Sequence, residues 1–203
     1  MNELTNPKNI TISLVTAWFI SALILGYYGF FNQNQPKLPP INLAIFLFLP
    51  IFGFITAYFS NKNFKAFTHR INLTYIVGAH TWRYVGIGFV AGYYLGFLPP
   101  QFSFPEGIGD IISAIFALPL AFALSKNKRI HNLYVAWNIF GLIDLISAVT
   151  VGVLYSQGSF GILRTGLSTA VMTNFPINLI PTFFVPLFIL LHLLALARHK
   201  EVK

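Results

Sequence analysis

Long stretches of the chain carry no charged residue, among them Asn9–Pro36, Leu38–Asn61, Tyr84–Pro105 and Thr165–Ala197. Each exceeds the roughly 18–20 apolar residues that cross about 30 Å of hydrocarbon as a helix. The apolar positions run on continuously and do not alternate with a period of two. That selects helices over a β-barrel, the other structure whose backbone bonds are all satisfied inside lipid. The pattern predicts six spans, near Ile12–Phe31, Ile41–Ser60, Ile71–Leu98, Glu106–Leu124, Asn132–Tyr155 and Ile177–Ala197. The expected fold class is all-α, a polytopic transmembrane helix bundle formed by residues 1–203 as one integral membrane domain. The first span is not read as a signal peptide, because Tyr27-Tyr28-Gly29-Phe30-Phe31 is a poor small-residue cleavage site.

Within the spans a repeat is visible. Gly26-Tyr27-Tyr28-Gly29-Phe30 leads to Leu38-Pro39-Pro40, and Gly92-Tyr93-Tyr94-Leu95-Gly96-Phe97 leads to Leu98-Pro99-Pro100. Pro40-Ile41-Asn42-Leu43 with Pro50 is matched by Pro176-Ile177-Asn178-Leu179 with Pro186. Three pseudo-repeated helical hairpins in parallel orientation account for this, and chance similarity among Phe-, Leu- and Pro-rich spans is the alternative. Pro50, Pro119, Pro181 and Pro186 each remove a backbone bond, so the last span, with two of them, is expected to bend. Between the fifth and sixth spans, Ser156–Phe175 reads as an interfacial loop or an outer lid.

Composition agrees with the pattern: 56% of residues are hydrophobic and 9% charged, against about a quarter charged in soluble chains. With no cysteine, disulfides, Fe–S clusters and thiolate zinc sites are excluded. The net charge of +8 is explained by topology rather than by a nucleic-acid partner. Ten basic residues fall on one side of the bilayer (Lys8; Lys62, Lys65, Arg70; Lys126, Lys128, Arg129; Arg198, Lys200, Lys203) and two, Lys37 and Arg164, on the other. The excess marks the cytoplasmic face and puts both termini there.

Charged side chains at the centre of a span cost about 2.5–3.5 kcal/mol each and face a partner or a wet cavity. Arg83, midway along the third span, and Asp144, midway along the fifth, have opposite charge at similar depth. They are expected to form a structural ion pair or to hold an ion or solute. Glu106 and Asp110 lie one turn apart on the fourth span. There they can cap a helix start after Pro105 or form an outer entrance for a cation. His80 and His192, on spans three and six, could relay a proton or ligate one b-type haem. Asn138 is a bridging polar group. Gly88, Gly92 and Gly96 make a stripe through which spans, or two copies of the chain, can approach. Trp137, Gly141, Asp144, Ala148 and Gly152 share another face. No paired metal motif is present, and neither a metal nor any other cofactor is expected.

Arg83-x-x-Gly86, Pro105-Glu106-Gly107-Ile108-Gly109-Asp110, Trp137-Asn138…Gly141-Leu142-Ile143-Asp144-Leu145 and Asn178-Leu179-Ile180-Pro181…Pro186…His192 together resemble a family of uncharacterised six-helix bacterial inner-membrane proteins. The resemblance covers residues 71–197 and implies that setting, without an activity. The leading expectation is a membrane protein with an intramembrane polar site that binds or transports a small ion or solute. A redox protein holding haem or quinone between spans three and six is the alternative. An intramembrane enzyme using Asp110 or Asp144 on lipid, and a complex subunit or assembly factor, are further ones.

Overall fold

The computed structural model of the chain describes residues 6–32, 41–126 and 128–203, and all regular structure among them is helical. Five helices are long and apolar enough to cross a membrane. They are α1 (Pro7–Tyr27), α2 (Ile41–Ser60), α6 (Pro100–Ser125), α7 (His131–Leu154) and the run Ile180–Ala197. That last run is a π-turn, Ile180–Phe184, followed by α8, Val185–Ala197. The third expected span is not one helix but three pieces: α4 (Leu73–Gly78), a 3-10 segment over Ala79–Val85, and α5 (Gly86–Tyr94). Between α2 and α4 lies α3, Lys62–Arg70, which hydropathy alone does not reveal.

Local chemistry explains most boundaries. Pro7 and Pro100 open their helices at a position where a missing N–H costs nothing. Because Pro100 serves as the start, α6 begins well before Glu106. Pro105 and Glu106 are therefore inside the helix, and Glu106 does not cap it. α1 and α5 end in the same way. Gly29 (φ +74°) and Gly96 (φ +75°) take the left-handed conformation. Phe30 N–H then reaches Leu25 O at 2.9 Å, and Phe97 N–H reaches Gly92 O at 2.8 Å. The Tyr-Tyr…Gly-Phe repeat is thus a repeated helix stop. Lys37 and Leu38-Pro39-Pro40, part of the first repeat, lie outside the described residues.

Where a bend is expected in the last span, the helix takes a π-turn over Ile180–Phe184. Pro186 has no N–H for the carbonyl of Thr182, and the indole N–H of Trp18 on α1 donates to that carbonyl at 3.0 Å. For α3, Asn61 supplies the cap by accepting from Phe64 N–H at 3.0 Å. Its half-buried Phe64 and Phe67 are offset from exposed Lys62, Lys65 and Arg70.

Two apolar clusters bracket the middle of the bundle. One, toward the basic end, joins Tyr58, Ile76, Val77, Leu120, Tyr134 and Leu194. The other joins Phe89, Leu98, Phe102 and Met172. The basic segments meet at one end: Arg198 donates to Thr68 O at 3.2 Å, and Ile130 N–H donates to Lys203 O at 2.8 Å. At the opposite end residues 156–175 fold back as a loop with a short 3-10 turn, Thr169–Thr173. Thr169 Oγ1 donates to Gly152 O at 2.6 Å, and Met172 packs on Phe89 and Phe102.

Candidate functional site

Arg83 has no exposed surface and sits in the 3-10 segment. Residues three apart eclipse in such a helix, so His80 and Arg83 point the same way. α6 comes close enough to meet them because both helices carry glycine at the crossing. A Cβ on Gly107 would lie 2.8 Å from Gly86 O. Asp110, one turn farther along α6, then accepts from Arg83 Nε at 2.6 Å. From α7, Asp144 Oδ2 pairs with Arg83 Nη2. Gly109 makes room, since a Cβ there would overlap the Asp144 carboxylate. Arg83 Nη1 also approaches Gly141 O at 3.4 Å and His192 Nε2 at 3.3 Å.

Donor and acceptor counting assigns the histidine tautomer. The guanidinium only donates, so His192 Nε2 accepts and its Nδ1–H donates to Asn138 Oδ1 at 2.9 Å. Asn138 Nδ2 in turn donates to Tyr134 O at 2.8 Å. A Cβ on Gly141 would overlap His192 Nε2 and lie 3.0 Å from Arg83 Nη1, so that glycine is what admits the pair. Glu106 is buried. Its Oε1 accepts from Ser147 Oγ at 2.9 Å, while its Oε2 has no hydrogen-bond partner. Neither ring nitrogen of His80 has a partner either. That ring packs between His192, Trp137 and Phe188, with centroids 3.9, 5.1 and 5.2 Å away.

Toward the end opposite the basic segments, an apolar chamber of about 170 Å³ is lined by Asp110, Phe89, Phe102, Leu145, Ser156 and Thr169. The buried Ser156 hydroxyl has no hydrogen-bond partner. Asp110 is thus the residue shared by the chamber and the charge cluster.

The expected Arg83–Asp144 pair is present, and Asp110 completes it as a second acceptor. Asp110 is buried beside Arg83 and Glu106 beside Ser147. His80 and His192 pack against each other, with ring centroids 3.9 Å apart and planes tilted by 34°. Asn138 bridges α7 to His192. Of the glycine stripe, Gly92 packs on Leu98, Gly96 lies past the helix end, and Gly88 has open space around it. The glycines that shape the site are Gly86, Gly107, Gly109 and Gly141. Among the described residues, no three His, Asp or Glu side chains are grouped to hold a metal ion.

A second network lies at the basic end, where sequence reading assigned nothing to His69. Tyr58 Oη is 2.9 Å from His69 Nε2, and His69 Nδ1 is 2.9 Å from Glu201 Oε1. Arg198 Nη2 donates to Glu201 Oε2 at 2.7 Å. The hydrogen bond from Arg198, reinforced by that from His69, lowers the Glu201 carboxyl below its ordinary value against a smaller effect of burial.

A family model described as a domain of unknown function, DUF8737, matches residues 40–198, well over half of the chain. The chain belongs to that family. The DUF8737 region contains every residue of the charge cluster and of the chamber. It reaches back through α2, beyond the residues 71–197 that carry the sequence resemblance, and it leaves α1 outside. No curated protein and no solved structure matches the chain.

Proposed function

We propose that this DUF8737 protein spans the bacterial inner membrane six times with both termini in the cytoplasm. In this reading it binds a small cationic solute in exchange for protons at the cluster of Arg83, Asp110, Asp144 and Glu106. The helical segment Leu73–Tyr94 is the sixth span, and the ten-to-two distribution of basic residues sets the orientation.

The carrying observation is an imbalance of charge. One guanidinium pairs with two carboxyl groups, and a third, that of Glu106, is buried one turn from Asp110 on Ser147, in a layer bracketed by apolar clusters. Isolated charges in hydrocarbon are costly, so the layer tends toward neutrality. One arginine neutralises one carboxylate, and the other two groups need protons or a cation. Four partners already occupy Arg83, which leaves it little capacity for an anionic ligand. The chamber ending at Asp110 gives a solute a place to lie, with an apolar wall for its body and a carboxylate for its charge. His80 and His192 continue the polar layer toward the basic end, with Asn138 orienting His192, and the two histidines would carry the protons released. The π-turn and the 3-10 segment border this layer and supply the bends that passage across the membrane would use.

Thermal unfolding of the detergent-solubilised protein with chloride salts of sodium, potassium, guanidinium and ethylammonium tests the reading. Choline chloride is the ionic-strength control. At least one cation should raise Tm saturably, by up to about 2.7 kcal/mol of linkage at a hundred times its Kd. Asp110→Asn keeps an acceptor for Arg83 and should abolish that gain. No stabilisation of the wild type by any of the four, or an undiminished gain in Asp110→Asn, would overturn it.

A further inference from the structure

α1 and α2 carry no intramembrane charge and no residue of the charge cluster, though Leu43 and Leu47 of α2 line the chamber, and between them they frame a second, larger cavity. α1 rests on α3 and the π-turn, and α2 rests on α3, α8 and the π-turn, so the two helices stand apart. The groove between them has a volume of about 930 Å³. Along most of its length the walls are apolar, including Leu14, Val15, Phe46 and Leu49. At the basic end the lining changes to Asn61, Asn63 and Arg70 of the α3 region. No acidic residue lines it among the described residues, and Arg70 makes no ion pair among them. Lys62 and Lys65 are exposed on the same short helix.

We propose that this groove is a binding site for one anionic glycerophospholipid of the leaflet at the basic end. An acyl chain lies between α1 and α2, and the phosphate sits on Arg70 with the asparagine amides beside it. The proposal rests on the membrane-spanning reading but not on the cation site. The occupant follows from two complementarities. The groove is apolar where a chain would lie, and a cation with polar neighbours stands where a headgroup would reach the interface. Basic pockets between spans on the cytoplasmic side favour anionic headgroups over zwitterionic ones. Gly53 provides a separate handle: it lines the groove, and a Cβ there meets nothing within 4 Å. A large side chain at Gly53 therefore fills the groove without disturbing the packing of the bundle.

Native mass spectrometry of the detergent-purified, delipidated protein, titrated with phosphatidylglycerol or phosphatidylcholine, reads the site directly. The expected result is one tightly retained phosphatidylglycerol per chain and weaker, unsaturated retention of phosphatidylcholine. Arg70→Gln should lower phosphatidylglycerol affinity about fivefold, from roughly 1 kcal/mol per basic residue near the surface, and leave phosphatidylcholine unchanged. Gly53→Phe should remove the retained lipid while Tm stays near that of the wild type. Equal retention of both lipids, or affinities untouched by both variants, overturns the proposal. So does dimerisation through this face in place of lipid uptake. Cation-induced stabilisation should persist in Gly53→Phe, so failure here is distinguishable from failure of the cation site.

Discussion

α6 and α8 are as apolar as α1 and α2, yet the two pairs sit very differently. In the apolar stretches of α1 and α2 that are long enough to cross a membrane, 11% of residues are buried within the chain, against 44% in α6 and in the run ending with α8. Hydropathy does not separate them. What does is the handful of polar and small residues: Arg83, Asp110, Asp144 and His192 together with Gly86, Gly107, Gly109 and Gly141. In a bilayer, burying an apolar face against another helix gains little over lipid, so close packing and paired polar groups hold helices together. The bundle of α4–α8 has both. α1 and α2 have fewer: Trp18 to Thr182, Asn178 Nδ2 to Ala22 O at 3.4 Å beside Gly26, and Asn42 Nδ2 to Phe30 O at 3.0 Å.

Removing the centre of the bundle should have the largest effect. Arg83→Ala leaves two aspartates without their cation, and breaking a buried pair in this way costs about 3–5 kcal/mol. Folded yield and Tm in detergent should collapse. Adding Asp110→Asn and Asp144→Asn should recover folding without recovering cation binding. A single variant as stable as the wild type would show that the cluster does not hold the bundle together.

A smaller contrast comes from paired glycine substitutions. Gly141→Ala forces a methyl against His192 and should cost about 1–3 kcal/mol by overpacking. Gly53→Ala on α2, in open space, should be neutral or stabilising by up to about 1 kcal/mol from helix propensity alone. Equal Tm shifts at the two sites would erase the distinction between bundle and periphery.

The joint between the regions ranks next. Trp18→Phe leaves the Thr182 carbonyl without its donor and should cost about 1 kcal/mol, read as faster proteolysis or exchange confined to α1. The smallest effect is at the basic end. Glu201 is lowered in the folded chain, so the stability it contributes is present above its ordinary value of 4.5 and is lost as pH falls through the lowered one. Glu201→Gln should therefore flatten the acid limb of a Tm–pH profile below about pH 4.5 and leave neutral pH little changed. An identical acid limb would remove Glu201 from the account.

The long apolar helices and the Arg83–Asp144 pair were legible because runs of this length and hydropathy permit few alternatives. Continuous apolar runs must be helical, and a mid-span arginine needs a partner. The helix-start role fell to Glu106 because Pro105 resembled a start, whereas Pro100 takes that role and sets both acids one turn and more into the helix. The 3-10 segment left no mark, since Ala79–Val85 contains neither proline nor glycine and its tightening is imposed by packing against α6. α3 was hidden by its charge, although Asn61 followed by alternating lysine and phenylalanine carries the signal of a capped amphipathic helix. The His69–Glu201 contact joins residues 132 positions apart, which pattern reading along one chain does not reach.

The decisive measurement is proton release on adding the stabilising cation to weakly buffered, detergent-solubilised protein, followed with a pH-indicator dye. A carboxyl cluster that exchanges protons for a monovalent cation should release up to about one proton per cation bound, since the layer stays neutral. The release should saturate with the same midpoint as the Tm shift and be absent in Asp110→Asn. Saturable cation binding with no proton released, or release unchanged in Asp110→Asn, would contradict the claim that the carboxyl groups around Arg83 are the site.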